Sequence, residues 1–271
     1  MNLSPLLIGE LLALGVVGGF LAGLLGVGGG MMMVPFLTAI VSQRGVPPAM
    51  AVKIAIATSM ATILFTSLSS LRAHHRLGAV RWDLVRGLAP GIVVGGLLSG
   101  AGAFAVLKGQ GLALFFAVFI GYSALQMLRG RKPKPGRQMP GTAGQTAAGA
   151  AIGFASGLLG AGGAFISVPF MVWCNVPIRQ AVGTSAAIGF PVAAAATAGY
   201  VISGWGLAPA MPGVVGYLFL PGLLVVATAS MLLAPLGARV AQQMDTTKLR
   251  RLFAVLLLGL ATYMLFQGLR D

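Results

Sequence analysis

Acidic side chains are scarce in this sequence, and so are histidine and cysteine. Its 271 residues include four aspartates and glutamates, two histidines and one cysteine. Paired carboxylates for acid–base catalysis, a Ser-His-Asp set and a cluster of metal ligands are therefore absent. The lysine of a P-loop and a complete Rossmann fingerprint are absent too. We expect no catalytic residue, no metal and no cofactor, and Cys174 has no partner for an internal disulfide.

Charged residues are also rare, at 8% of the chain, whereas hydrophobic residues make up 57% and the mean hydropathy is +0.93. Soluble domains carry about 25% charged residues. Residues 138–178 and 180–238 contain no charged residue and no histidine. Both stretches are too long for a buried helix of a soluble protein. The composition predicts an all-α polytopic membrane protein whose main partner is the lipid bilayer.

Lysines and arginines exceed the acids by 14, but they are not spread evenly along the chain. Of the 18 basic residues, 13 fall in three clusters between apolar runs. The clusters are Arg72, Arg76, Arg81 and Arg86; Arg129, Arg131, Lys132, Lys134 and Arg137; and Arg239, Lys248, Arg250 and Arg251. Basic loops of this kind indicate the cytoplasmic side of a membrane, and they argue against nucleic-acid binding.

One segment occurs twice. Phe20 to Phe36 reads FLAGLLGVGGGMMMVPF, and Phe154 to Phe170 reads FASGLLGAGGAFISVPF, with identity at 10 of the 17 positions. In each copy a glycine cluster and a proline interrupt an apolar run, which favours irregular backbone at that point. Irregular backbone survives at membrane depth only where it is buried in protein or lines a wet cavity. The duplication therefore predicts an interior site built from both halves.

Apolar runs divide each half of the chain into five elements. In the first half they cover roughly residues 3–26, 28–43, 47–71, 87–107 and 110–128. In the second half they cover roughly residues 143–160, 163–178, 180–203, 207–236 and 252–268. A basic segment rich in Pro and Gly joins the halves and has the composition of a solvated linker. We expect a first transmembrane repeat at residues 1–128, a cytoplasmic linker at 129–142 and a second repeat at 143–271.

Membrane topology follows from the three basic clusters. They share one side of the membrane only if an even number of crossings separates neighbouring clusters. The number is even if the chain folds back as a hairpin at Gly26–Gly30 and again at Gly160–Gly163. The N-terminus then lies outside, and the halves form inverted-topology repeats, as in secondary transporters. In the alternative, each glycine segment is one broken span, which gives eight spans, parallel 4+4 repeats and a third cluster outside.

The two glycine hairpins are the expected binding site for an anion. Free N–H groups at the start of a helix, together with its positive dipole end, favour a negative ligand. A Thr-Ser pair after each hairpin adds hydroxyl donors, and Lys53 is the one cation placed within an apolar run. The candidate residues are Gly26, Gly28, Gly29, Gly30, Lys53, Thr58, Ser59, Gly160, Gly162, Gly163, Ala164, Thr184 and Ser185.

Each of these residues also has a purely structural interpretation. Glycines allow helices to pack closely in membranes without any ligand. A serine or threonine hydroxyl can bond back to the preceding helical turn. Lys53 lies near the end of its run, so its side chain can extend to the interface.

The motif G-L-L-G-x-G-G-[GA]-x(3)-V-P-F in both halves, each followed by a Thr-Ser helix, resembles the TauE/SafE sulfite exporter family of membrane permeases. The resemblance spans nearly the whole chain. It implies a bacterial inner-membrane protein that moves small sulfur-containing anions, such as sulfite, sulfonates or sulfoacetate, mostly outward. Ala164 and Ser167 in the second copy depart from Gly30 and Met33 in the first.

Three functions compete at this point. The first is an exporter driven by the membrane potential, which fits a chain whose one acid within an apolar run is Glu10. The second is an importer or a proton-coupled permease of a related anion. The third is a membrane enzyme or assembly factor that holds a phosphate or a lipid headgroup, and the lack of catalytic residues argues against it. A homo-oligomer is compatible with all three.

Overall fold

The computed structural model describes residues 4–25, 30–129, 136–241 and 246–269. Helices dominate these ranges, which confirms the prediction of an all-α polytopic membrane protein. In the first half the helices are α1 (Pro5–Leu25), α2 (Gly30–Ser42), α3 (Pro48–Arg76), α4 (Trp82–Val106) and α5 (Gly109–Arg129). In the second half they are α6 (Thr142–Leu159), α7 (Ala164–Trp173), α8 (Ile178–Gly204), α9 (Leu220–Ala241) and α10 (Thr246–Leu269).

Four of the described helices, α3, α4, α5 and α8, are long and apolar enough to cross a membrane by themselves. Of these, α3 and α8 have the largest buried share. Each begins directly after a proline, Pro47 and Pro177 respectively. A proline suits this position because its missing N–H would have no partner in the first turn of a helix. The two corresponding helices therefore start in the same way and form the centre of the molecule.

The segment before α9 differs from the prediction. We expected an apolar span over residues 207–236, but the helix begins only at Leu220. The residues before it contain Gly206, Gly213 and Gly216, all with positive φ, and two short antiparallel strands, β1 (Val214–Val215) and β2 (Leu218–Phe219). Two prolines in the same stretch, Pro209 and Pro212, lack the N–H that a helix needs. Hydropathy alone cannot register these backbone constraints.

Helices α1 and α2 fold back on each other. A methyl group placed on Gly18 would lie 3.4 Å from Cε of Met33. In a continuous helix the Cα atoms of these residues would be about 22 Å apart, at about 1.5 Å per residue. The open end of the hairpin is closed by an ion pair of 2.6 Å between Glu10 and Arg44. One broken span across this segment is therefore incompatible with the contacts.

Helices α6 and α7 form a second hairpin. The backbone N–H groups of Gly136 and Arg137, shortly before α6, donate to the carbonyl oxygen of Trp173 at the end of α7, at 3.1 and 3.3 Å. The Arg137 guanidinium also lies 5.1 Å from the centre of the Trp173 ring. The start and the end of this segment therefore meet, as they do in the first hairpin.

The two halves exchange helices. The most extensive helix pairs are α1 with α9 and α4 with α6, so each hairpin packs its first helix against the fourth helix of the other half. Gly15 and Gly19 of α1 allow this close approach: methyl groups placed on them would lie 2.6 Å from Cβ of Ala229 and 2.4 Å from Cα of Ser230. The order of these contacts makes α1 and α9 parallel, and a hairpin from one half is held by the other half.

Two pairs of corresponding helices from the two halves, α3 with α8 and α5 with α10, run antiparallel. On α8, Gly183 contacts Ala79, just beyond the end of α3, whereas Gly189 lies against Ser67, 12 residues earlier. The partners therefore descend in number as α8 advances, as they must between antiparallel helices. Helices α5 and α10 follow the same pattern, since Gly268 contacts Leu114 and Gly121 contacts Ala261. Both of these pairs of corresponding helices therefore run antiparallel.

Candidate functional site

The start of α2 touches the second glycine turn. A methyl group on Gly30, the first residue of α2, would lie 2.6 Å from the carbonyl oxygen of Gly160 and 3.3 Å from Cα of Ala161. It would also lie 2.7 Å from Cδ1 of Ile63 on α3. No side chain fits at this position, because backbone lies on one side and a buried isoleucine on the other. The candidates Gly26, Gly28 and Gly29 lie outside the described residues.

The second turn requires glycine for its backbone conformation. Gly160 ends α6 with φ 64°, and its N–H donates to the carbonyl oxygen of Ser156. Gly163 precedes α7 with φ 80°. Both values fall in the left-handed region, where a side chain is strained. Gly162 lies between them against Ile63, and Ala164 begins α7, where its Cβ is accommodated.

Ser59 joins the start of α2 to the second glycine turn. Its hydroxyl on α3 lies 3.2 Å from the carbonyl oxygen of Gly30 and 3.2 Å from that of Gly160, in hydrogen-bonding geometry with both. The side chain is fully buried. The hydroxyl therefore donates within the protein, at the junction of the two halves, and it links the start of α2 to Gly160.

Thr58 and Thr184 make reciprocal contacts between the halves. The Thr58 hydroxyl accepts the backbone N–H of Phe219, which precedes α9, at 3.0 Å. The Thr184 hydroxyl accepts the backbone N–H of Arg81, which precedes α4, also at 3.0 Å. Each threonine thus anchors the start of the fourth helix of the opposite half. The Arg81 guanidinium donates to the Asp83 carboxylate at 2.5 and 2.8 Å, and these hydrogen bonds raise the pKa of Arg81.

Ser185 lies beside a serine that sequence reasoning did not select. Its hydroxyl is 2.8 Å from the hydroxyl of Ser167 on α7, and both side chains are buried. A third buried serine, Ser156, has its hydroxyl 3.2 Å from the position of a methyl group on Gly163. The sequence could have pointed to Ser156 and Ser167 through the mismatch between the two copies of the motif. The first copy has Ala22 and Met33 at the corresponding positions.

Lys53 lies apart from the glycine turns. Its Nζ is 3.4 Å from the carbonyl oxygen of Ala105, at the end of α4. The same atom is 5.5 Å from the ring centre of Phe104 and 5.3 Å from that of Tyr217, in the loop before α9. An ammonium group over two aromatic faces is in a favourable cation–π position. The Lys53 side chain therefore lies between the end of α4 and the loop before α9.

The site offers neutral donors and backbone dipoles to a ligand. Among the described residues, no group of three or more histidine, cysteine, aspartate or glutamate side chains could hold a metal ion. The main donors are N–H groups at the start of a helix and serine hydroxyls, which bind anions. Such an arrangement can bind and release an oxyanion without chemical change.

Several known proteins with similar sequences are described as membrane transporters. The family model described as sulfite exporter TauE/SafE matches residues 11–264. A probable membrane transporter protein of Haemophilus influenzae is 33% identical over 255 residues, which are 93% of this chain and 96% of that protein. A probable membrane transporter protein of Methanocaldococcus jannaschii is 25% identical over 270 residues, 96% of either chain. No solved structure matches.

Proposed function

The chain belongs to the TauE/SafE sulfite exporter family and is a membrane transporter, not an enzyme, and we propose that it carries small sulfur-containing anions outward across the bacterial inner membrane. The anions we have in mind are sulfite, sulfonates and sulfoacetate. The observation that carries the proposal is the meeting of Gly30 with Gly160, two helix-terminal turns from different halves of the chain, joined by Ser59.

The antiparallel packing of corresponding helices supports an inverted orientation of the two halves. In that orientation the two hairpins enter the membrane from opposite faces and their glycine turns meet near the midplane. The basic residues agree, because Arg81 and Arg137 then lie on the cytoplasmic side together with the linker. In this orientation the ion pair of Glu10 with Arg44 and the side chain of Lys53 would lie at the outer face, so that Lys53 is a cation at the outer end of the proposed route.

Export of an anion needs no coupling ion. Moving one negative charge outward down a negative-inside potential releases about 2.3 kcal/mol per 100 mV, which corresponds to about a fiftyfold outward distribution at equilibrium. A proton-coupled mechanism would need an intramembrane acid as a carrier. Glu10 is the one acid within an apolar run, and its carboxylate is paired with Arg44 at the open end of a hairpin, away from the glycine turns. This position favours a uniporter.

The test is flux in proteoliposomes that contain the purified protein, with protein-free liposomes as the control. Methanesulfonate and sulfite are loaded inside, the pH is equal on both sides, and the membrane potential is set by a potassium gradient with an ionophore. We expect efflux when the inside is negative and retention when the inside is positive. Accumulation that follows a pH gradient at zero potential, and that is lost in Glu10→Gln, would support the proton-coupled permease instead.

A further inference from the structure

The second hairpin carries two buried serines that the first does not match, Ser156 and Ser167, and a third buried serine, Ser185 on α8, lies beside Ser167. The hydroxyl donors of these serines exceed the acceptors around them. We propose that the hydroxyls of Ser156, Ser167 and Ser185, together with the N–H groups at the start of α7, bind oxygen atoms of the transported anion. The binding site then lies at α7 and is not shared equally by the two hairpins. This inference rests on the proposed function, since it names the residues that hold the transported anion.

Ser156 supplies the first observation. Its side chain is 1% exposed, and its hydroxyl has no hydrogen-bond partner among the residues that the structure describes. A helical serine ordinarily bonds back to the carbonyl three or four residues earlier, as Ser99 does with Gly96 at 2.9 Å. Ser156 does not, and its hydroxyl instead faces Gly163, the residue that precedes α7. A buried hydroxyl left without a partner indicates a ligand that completes the bond.

Ser167 and Ser185 supply the second observation. Their hydroxyl oxygens are 2.8 Å apart, so one hydroxyl donates to the other. A hydroxyl carries one proton, and the accepting serine therefore keeps an O–H that still needs an acceptor. Neither side chain has another hydrogen bond within the described residues. Together with Ser156, the three serines offer two buried O–H donors to a ligand.

The start of α7 adds backbone donors. The carbonyl of Gly163 accepts the N–H groups of Ile166 and Ser167, at 3.1 and 2.9 Å. The N–H groups of Ala164 and Phe165 precede the first helical hydrogen bond and have no acceptor inside the helix. Because α7 is helical through Trp173, its dipole favours a negative charge here. The Ser156 hydroxyl therefore faces a helix end that already attracts anions, and Ser167 lies one turn further along the same helix.

The first half lacks these donors. The residues that correspond to Ser156 and Ser167 are Ala22 and Met33. Ser59, the counterpart of Ser185, already directs its hydroxyl to two carbonyl oxygens. The donors that remain free at the junction of the halves therefore lie at α7. For this reason we place the ligand beside α7 and not midway between the two hairpins.

The number and the neutrality of the donors define the substrate class. The two O–H groups and the two N–H groups come from three different helices, which suits the pyramidal oxygens of a sulfonate better than the two coplanar oxygens of a carboxylate. No cation among the described residues contacts these serines. At a site without a countercharge, the desolvation cost is smaller for one negative charge than for two. We therefore infer a monoanion of the sulfonate type, in preference to a dianion or a carboxylate.

The experiment compares Ser156→Ala, Ser167→Ala and a control, Ser230→Ala. Ser230 is fully buried and donates to the carbonyl oxygen of Gly15 at 3.0 Å, so the control removes a satisfied hydroxyl from the α1–α9 pair. Two quantities are measured in detergent: the Kd of methanesulfonate by calorimetry, with acetate as the comparison ligand, and the Tm without ligand. Flux of methanesulfonate is measured in parallel for the wild type.

We expect the Kd of methanesulfonate to rise about tenfold or more in Ser156→Ala and Ser167→Ala, because each loses a hydrogen bond to a charged ligand. The Tm of unliganded Ser156→Ala should equal or exceed that of the wild type, since no protein hydrogen bond is lost. Ser230→Ala should lower the Tm and leave the Kd unchanged. In the wild type, acetate should bind at least tenfold more weakly than methanesulfonate.

Two different failures can be told apart. If the wild type transports methanesulfonate but its Kd is unchanged in Ser156→Ala and Ser167→Ala, the serine site is wrong and the proposed function stands. The same conclusion follows if Ser156→Ala lowers the Tm as Ser230→Ala does, since its hydroxyl is then bonded within the protein. If the wild type neither binds nor transports methanesulfonate or sulfite, the proposed function is wrong, and this inference falls with it.

Discussion

The two glycine hairpins share a motif, yet they differ at the points where they meet. The first presents Gly30 to the backbone of the second, at a place where no Cβ fits. The second has Ala164 at the corresponding position and has serines where the first has Ala22 and Met33. The two copies of the motif therefore differ in the contacts that their side chains can make. The first hairpin packs closely against backbone of the second, and the second carries serine hydroxyls that lack acceptors among the described residues.

The strongest test of this division is Gly30→Ala. The new methyl group would lie 2.6 Å from the carbonyl oxygen of Gly160, and backbone cannot move aside as a side chain can. We expect a loss of about 3 kcal/mol in unfolding free energy and a loss of flux. Ala164→Gly is the matched change in the second hairpin, and it should cost about 1 kcal/mol or less. Equal effects of the two variants on the Tm would contradict the difference between the hairpins.

The reciprocal threonines provide a second comparison. Thr58→Val removes the acceptor for the N–H of Phe219, a fully buried residue, and should cost about 1–3 kcal/mol. Thr184→Val removes the acceptor for the N–H of Arg81, which is an exposed residue. Because water can replace the hydroxyl there, the cost should stay below about 1 kcal/mol. Chemical denaturation in detergent measures both. A larger effect at Thr184 would contradict the assignment.

Ser59 and its counterpart Ser185 should separate stability from binding. Ser59→Ala leaves the carbonyl oxygen of Gly160 without its hydroxyl donor and should cost about 1–2 kcal/mol in unfolding free energy. Ser185→Ala leaves only the hydroxyl of Ser167 without its partner, so the expected loss in stability is smaller and the expected rise in Kd is larger. Thermal denaturation with and without methanesulfonate distinguishes the two patterns. A Kd effect confined to Ser59→Ala would reverse our assignment of the two sides.

The smallest expected effects lie at the open ends of the hairpins. Glu10→Gln removes the ion pair with Arg44, and Arg137→Gln removes the guanidinium over Trp173. Both contacts are partly exposed, so each should contribute about 1 kcal/mol or less. Potential-driven flux should persist in both variants. Loss of flux in Glu10→Gln alone would assign Glu10 a part in transport.

Much of this fold could be predicted from local sequence features. The apolar runs located both hairpins, and observed helix ends such as Ser42 and Leu159 lie within one residue of the predicted ends. Other ends, such as Arg76 and Trp173, differ from the prediction by five residues. The largest difference was the stretch before Leu220, where prolines and left-handed glycines interrupt an apolar segment without lowering its hydropathy. An apolar run indicates that a segment lies within the membrane, but it carries little information on the backbone conformation of that segment.

The candidate site was less accessible to sequence reasoning. A hydroxyl at Ser59 or Thr58 looks like a free donor in the sequence, but its partner depends on which backbone groups the tertiary fold brings near it. Ser156 shows the opposite case: the sequence cannot reveal that its hydroxyl lacks a hydrogen-bond partner among the described residues, and this lack is what makes Ser156 a candidate. A comparison of the two copies of the motif, residue by residue, was the available signal, because the fold makes both copies meet at one place.

The account depends most on the claim that the two hairpins enter the membrane from opposite faces. Two exposed glutamines test it directly: Gln43 follows α2 at the open end of the first hairpin, and Gln138 precedes α6 at the open end of the second. Gln43→Cys and Gln138→Cys, each in a Cys174→Ala background, are treated in intact cells with a membrane-impermeant maleimide. We predict labelling of Gln43→Cys in intact cells and of Gln138→Cys only after permeabilisation. Labelling of both from the same side would contradict the inverted arrangement and, with it, the site between the glycine turns.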